Sequence, residues 1–315
     1  MIERRKSMKK TSRKQGKQGK SFMQQLPFHL MLLPGLLIVV IFSYGPMFGL
    51  VMAFQNFRPT KGFLASEWVG LQQFELLFSY PDIGKIVFNT LYIAFFKLVL
   101  GLVVPVAFAL MLNVIKNKYL SGFIQTITCL PHFLSWVILG GIFVSILSPS
   151  NGIVNEVIQF FGGEPLYFLG DNKLFPWTMI ITDVWKSFGY SSIIYMAAMA
   201  GIDPSLYEAA RVDGAGGFKQ MIHVTLPGIL PIIFVMGVLS LPGILNAGFD
   251  QIFNLYSPQV YDSGDILDTF IYRMGIESAR YSFSTAVGLL KSVIGLVLVA
   301  IGYKAADKYG NYRVF

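Results

Sequence analysis

The sequence predicts an all-α, polytopic membrane protein of six transmembrane helices. Hydrophobic residues make up 54% of the 315-residue chain and charged residues only 13%, with a mean hydropathy of +0.59; a soluble domain carries about 25% charge. Six apolar stretches are each long enough for a bilayer core of about 30 Å, which takes roughly 20 helical residues. Summed over alternate segments between those stretches, one set is basic and the other acidic.

Residues 1–28 read as a basic cytoplasmic tail. The first 20 hold nine Lys/Arg against one acid, Glu3, and the rest of the chain holds sixteen of each sign, so the net charge of +8 resides in the tail. A nucleic-acid binder carries its basic patch on a folded surface. A basic tail ahead of an apolar helix suits anionic lipid instead, and no nucleic-acid partner is expected. Gly19-Lys20-Ser21 has the end of a phosphate loop, but the required first Gly falls at Lys14 and no strand precedes it. No nucleotide site is therefore expected on this chain.

The transmembrane domain is expected over 29–303, with spans at 29–54, 86–112, 124–147, 174–200, 226–248 and 283–303, followed by a cytoplasmic C-terminus at 304–315. The first stretch is longer than the apolar core of a signal peptide, is interrupted by Pro34 and Pro46, and has no small-residue cleavage site after it, so it reads as a retained helix. The fourth carries Asp183 and Lys186; the fifth carries Pro231, Pro242 and Gly243. With the N-terminus inside, the inner segments 1–28, 113–123, 201–225 and 304–315 hold sixteen Lys/Arg against five acids, and the outer segments six against eleven. The positive-inside rule thus favours an even number of spans and both termini in the cytoplasm. Phe54, Phe57, Trp68, Tyr80 and Trp177 cluster at the outer edges, as interfacial belt residues do.

Inner loop 201–225 is more than a connector. Asp203-Pro204 is a helix start, an N-cap acceptor followed by Pro in the first turn. Residues 206–212 are mostly helix formers, and Ala209 and Ala210 keep one face thin enough for another backbone to approach. Asp213-Gly214 ends the helix, because Gly adopts the left-handed cap conformation. A second helical run from Phe218 leads back to Pro227. Glu208 and Asp213 against the single base Arg211 suit an anionic lipid surface poorly.

Glu208-Ala209-Ala210, Gly214 and then Leu226-Pro227 resemble the EAA signature of permease subunits of bacterial ABC importers, with Val224 where the pattern has Ile. Val69-Gly70-Leu71 with Phe74, Asn89-Thr90-Leu91, Leu130-Pro131, Gly152 with Asn155, Trp185 with Gly189, and Ile202-Asp203-Pro204 resemble the carbohydrate-uptake permeases of the maltose and glycerol-phosphate type. The likeness covers roughly residues 30–303 and is nearest to the LplB-like branch, which is linked to complex oligosaccharides. It implies the transmembrane domain of a type I ABC importer in a bacterial cell membrane. Its implied partners are a second, related permease subunit, two cytoplasmic ATPase subunits that use the ATP, and an extracellular solute-binding protein. Residues 204–217 match the coupling helix, which implies ATPase-coupling roles for Tyr207, Glu208, Ala209, Ala210, Asp213 and Gly214.

Charges inside spans are costly and are candidates for function. Asp183 and Lys186, spaced i, i+3, are expected to pair on one helix face or to line a pathway. Lys97 is expected to meet a polar group on another helix, and Lys291 likewise. Sugars are held by aromatic stacking and polar side chains, so Tyr190, Tyr195 and Asn246 join Asp183, Lys186 and Lys291 as candidate translocation-pathway residues, with Trp185 beside them. His29, His132 and His223 are scattered and Cys129 is the one cysteine, so no metal site, disulfide or catalytic constellation is expected. Three other readings remain open: an ABC permease for another small solute, an ion-coupled secondary transporter, to which Pro242-Gly243 gives a foothold, and a membrane enzyme, for which the sequence offers no nucleophile and base.

Overall fold

The computed structural model describes residues 22–115 and 117–310. The basic tail up to residue 21, with Gly19-Lys20-Ser21, and residues 311–315 lie outside the described residues. The chain divides into two compact units, one ending at Leu50 and the other beginning at Val51.

In the first unit, α1 (Phe22–Val39) passes into a π-helical turn (Val40–Tyr44) and then a 3₁₀ stretch (Gly45–Phe54). Pro46 has no N–H to donate, and the helix changes its hydrogen-bond spacing ahead of it. Side chains from Leu26 to Phe48 are exposed. A helix that is apolar all round and exposed is one made for lipid.

The second unit opens with a minute antiparallel ladder, β1 (Gln55–Asn56) against β2 (Glu67–Trp68), with α2 (Gly62–Ala65) between them. This is a small correction to an all-α fold: two-residue strands are too short to show any period in the sequence. Then come α3 (Gln72–Phe78), α4 (Ile83–Val114), α5 (Lys118–Cys129), a 3₁₀ turn (Leu130–Phe133), α6 (Trp136–Ile146), α7 (Ile153–Phe160) and α8 (Phe175–Ala200). After α9 (Pro204–Val212) and α10 (Gly217–Gln220), a π turn leads into α11 (Leu226–Ser240) and a 3₁₀ turn (Leu241–Leu245). The chain ends through α12 (Phe249–Leu255), α13 (Tyr261–Gly264), α14 (Leu267–Tyr272) and α15 (Tyr281–Gly310).

Among the described residues, four helical runs are long and apolar enough to cross a membrane: Leu26–Phe54, Ile83–Val114, Gly217–Leu245 and Tyr281–Lys304. The expected span 124–147 is not one straight helix. Lys118–Phe133 and Trp136–Ile146 bend by 105° at a break, so together they make at most a fifth, broken span. Pro131 cannot extend the ladder, and the Ser135 hydroxyl starts the new helix by accepting from Ile138 N. The fourth expected span, α8, is 26 residues long, about 39 Å. It falls outside the apolar measure because Thr178, Thr182, Asp183, Lys186 and Ser192 lie along it.

Burial explains that polarity. α8 packs lengthwise on α4, and Phe175, Met179 and Ile180 join Ile93, Ala94, Leu139 and Phe143 in the largest core cluster. Tyr195 and Met199 continue the seam with Val106, Ala109 and Ile229. A third cluster, Leu77, Ile86, Phe270, Phe283 and Val287, seats α14 and α15 against α3 and α4. The expected belt residues are partly spent on loop packing: Phe54 lies on Phe74, Phe57 on Phe63 and Tyr281, and Trp177 on Phe96.

Candidate functional site

Local chemistry builds α9. The Asp203 carboxylate accepts from Ser205 N at 2.9 Å, which holds its acid below the ordinary value. At the other end the helix closes with Ala215 N on the Ala210 carbonyl and Gly214 N on the Arg211 carbonyl. Gly214 sits at φ +75°, so the stop is a Schellman turn that needs a left-handed residue. Tyr207 OH meets Thr225 Oγ1 at 3.0 Å and ties α9 to the foot of α11; Thr225 is buried. Gln220 Nε2 donates to the Ala215 carbonyl and fixes the turn between the two helices.

This helix has no buried residue. Tyr207 and Ala210 are half-buried, while Glu208, Ala209, Asp213 and Gly214 are exposed. The two alanines therefore do not share an open face, as adjacent positions on a helix point about 100° apart. What remains outward is Leu206, Glu208, Ala209, Arg211, Val212 and Asp213, on a segment fixed at both ends.

A second constellation lies where α4, α8 and the break before α12 meet. Lys97 Nζ donates to the Ala247 carbonyl at 2.7 Å and to Gln251 Oε1, and lies 3.6 Å from Asp183 Oδ1. Gln251, fully buried, donates in turn to the Met179 carbonyl at 2.8 Å and to Thr182 Oγ1 at 2.7 Å. Gly248 makes the turn at φ +91°, and a Cβ there would stand 2.8 Å from Lys97 Nζ. A cavity of about 290 Å³ opens beside the pair, with Lys97, Asp183, Ser240, Gly243 and Asn246 in its wall.

The structure thus brings Asp183 and Asn246 to one cavity, gathers Lys186 and Tyr190 at His132, and leaves Tyr195 and Lys291 apart from both. The expected Asp183–Lys186 pair does not form. Lys186 Nζ donates instead to the His132 carbonyl at 2.9 Å, at the α5–α6 break, and lies 5.6 Å over the Trp136 ring. The break leaves that carbonyl without a helical partner, and Lys186 supplies its donor. Tyr190 stacks on His132, with centroids 4.0 Å apart and planes within 2°. Tyr195 is 2% exposed within the core seam, too enclosed to line a passage. Lys291 pairs with Asp268. Sequence reasoning missed Gln251, Thr225 and Asp268.

Among the described residues, no group of three or more His, Cys, Asp or Glu could hold a metal ion. Between α12 and α15, Arg273 forks onto Asp265 and lies 4.6 Å from the Tyr261 ring. These bonds raise its pKa despite the opposing effect of burial.

Residues 98–307 match the family model for the binding-protein-dependent transport system inner membrane component. The chain is 39% identical over 293 residues to the polygalacturonan/rhamnogalacturonan transport system permease protein YteP of Bacillus subtilis (strain 168), covering 93% of this chain and 91% of that one. It is 38% identical over 287 residues to the protein LplB of the same organism, covering 91% and 90%. Among solved structures it is similar to a chain of a bacterial ABC transporter involved in the import of the acidic polysaccharide alginate. The TM-score is 0.84 at 38% identity, over 92% of this chain and 98% of that one. A second structure of an alginate ABC transporter, in complex with a periplasmic protein bound to alginate pentasaccharide, matches with a TM-score of 0.83 at 37% identity.

Proposed function

The chain belongs to the family of binding-protein-dependent transport system inner membrane components, and we propose that it is the permease subunit of an ABC importer for an acidic oligosaccharide. It is a multi-pass membrane protein whose family works with a solute-binding protein. The observation that carries the coupling role is α9, a helix capped at both ends and tied to α11 by Tyr207, none of whose residues is buried among the described residues. Such a helix is a plug for a receptor. The receptor is a cleft on a cytoplasmic ATPase subunit, with Glu208 offering the carboxylate and Gly214 the turn.

In this reading α8 and the bent α5–α6 pair complete six spans, with both termini and α9 in the cytoplasm. The polar residues of α8 then face the interior of the membrane domain, where ionisable groups belong. A second, related permease subunit completes the pathway, and two ATPase subunits supply ATP. Rigid-body rocking of the helices then alternates access. Asp183 and Asn246 line the passage, beside Lys97. Acidic saccharide chemistry is favoured because the relative YteP is named for polygalacturonan/rhamnogalacturonan transport and the similar solved transporter for import of the acidic polysaccharide alginate.

Co-purification with a tagged chain tests the assembly: an ATPase and a second permease are expected to follow it through detergent extraction, and their absence sinks the proposal. Glu208→Lys tests the coupling. Sugar uptake is expected to collapse while membrane insertion stays normal; wild-type uptake would remove the role assigned to α9.

A further inference from the structure

Lys291 of α15 and Asp268 of α14 form an ion pair in which each side chain keeps about a fifth of its surface open. Lys291 stands ten residues beyond Tyr281, about 15 Å along the helix axis. In the topology proposed above, which this inference rests on, that depth is half-way through a hydrocarbon core of about 30 Å. An ion pair left partly open at such depth turns toward water or protein, not lipid.

Beside it lies a cavity of about 430 Å³ whose wall includes Asp268, Phe249, Tyr272, Tyr281, Ser284 and Thr285. One side continues as a row of half-buried rings. Phe249 stacks with Phe253 at 5.2 Å and lies 5.6 Å from Tyr272, and Phe253 is 4.8 Å from Tyr272. Phe249 and Phe253 are i, i+4 on α12 and share its face. Flat rings, a carboxylate and two hydroxyls line this one cavity together with Ile271 and Ile276; the Ser284 and Thr285 hydroxyls donate to the Ile271 and Tyr281 carbonyls and keep lone pairs with which to accept. This lining fits a sugar ring, which offers an apolar C–H face to an aromatic plane and hydroxyls to polar groups around its rim. Because Lys291 cancels the charge of Asp268, a uronate carboxylate is not repelled.

We infer that this cavity is a second saccharide subsite, holding one sugar unit with its C–H face on Phe249 and Tyr272 and its hydroxyls on Asp268. It shares no lining residue with the Lys97–Asp183 cavity.

The test uses the whole importer in proteoliposomes, with trigalacturonate and trimannuronate as probes. Phe249→Ala and Tyr272→Ala are each expected to lower the uptake rate about five- to tenfold, the size of one lost ring contact. Phe249→Tyr, which keeps the ring, is expected to restore it. A Thr285→Cys chain that also carries Cys129→Ser reports the site without disturbing the rings. It is expected to react with a membrane-impermeant thiol reagent, and saturating trisaccharide is expected to slow that reaction about fivefold. If wild type transports a probe and the ring variants match it, the subsite falls while the importer reading stands. Absence of labelling in both resting and vanadate-trapped complexes also sinks the subsite, as does loss of the second permease from the Tyr272→Ala complex, since the rings would then face that partner. If wild type takes up neither probe, the acidic-saccharide reading falls and the subsite with it.

Discussion

Lys97 on α4 donates to the carbonyl of Ala247 at 2.7 Å, joining residues 150 positions apart. Ala247 lies in the break between the Leu241–Leu245 turn and α12, where the backbone has left the helical ladder. Lys186 does the same at the other break, donating to the His132 carbonyl between α5 and α6. Each interrupted helix is therefore stitched by a lysine from the central α4–α8 pair. Freed carbonyls at membrane depth cost several kcal/mol unless satisfied.

Lys97→Met leaves Asp183 without its cation and the Ala247 carbonyl without its donor. Breaking a buried pair from one side costs about 3–5 kcal/mol. The expected outcome is a clear drop in the melting temperature of the purified protein. Gln251→Leu, which removes the bridge from Lys97 to Met179 and Thr182, is expected to lower it as well. Equal melting curves would show that the network adds nothing.

Lys186→Met is expected to act more locally. It frees the His132 carbonyl and removes the cation over Trp136, a loss of about 1–3 kcal/mol for an unsatisfied buried acceptor. The loss is best read as faster amide deuterium exchange near residues 130–135 in the detergent-purified protein. Lys186→Arg keeps a donor there and is expected to recover most of the protection.

Gly214→Val forces a β-branched residue into the left-handed region, at about 1–2 kcal/mol. The Schellman turn opens and α9 loses its aim. ATPase stimulation by sugar is expected to fall sharply in the reconstituted importer, with protein yield unchanged. Gly214→Asn, which tolerates that conformation, is expected to retain most of it.

Tyr256 supplies a pH signature. Burial, with Tyr261 beside it, pushes its phenol up to about 12. The fold favours the neutral ring, so its contribution is whole below the ordinary phenol value of about 10. That contribution is lost as pH rises through about 12. An ultraviolet difference titration of wild type against Tyr256→Phe is expected to show one late-ionising phenol. An ordinary titration midpoint for that difference would count against the buried environment.

The helices were legible because lipid imposes long apolar runs, and α9 because its caps, Asp203-Pro204 and Asp213-Gly214, are written into adjacent residues. What escaped was non-local. The i, i+3 spacing of Asp183 and Lys186 permits a pair, but each has a stronger partner on another helix, Lys97 for one and the His132 carbonyl for the other. Pro131 announces a break without its angle, so the 105° bend could not be read from the sequence. Tyr195 looks like a sugar-stacking residue only until Val106, Ala109 and Ile229 close around it.

Nine residues with no side chain in the core make α9 an unusual helix. A free helix of that length is marginal in water, and its caps and the single Tyr207–Thr225 hydrogen bond hold it. Its amides are then expected to exchange with deuterium quickly, through local openings that leave the α4–α8 seam closed. When the cleft of a partner closes over it, exchange should slow in this segment before anywhere else. Isotope uptake at 204–214 would thus count docked molecules directly, giving a readout of occupancy that needs neither sugar nor ATP turnover.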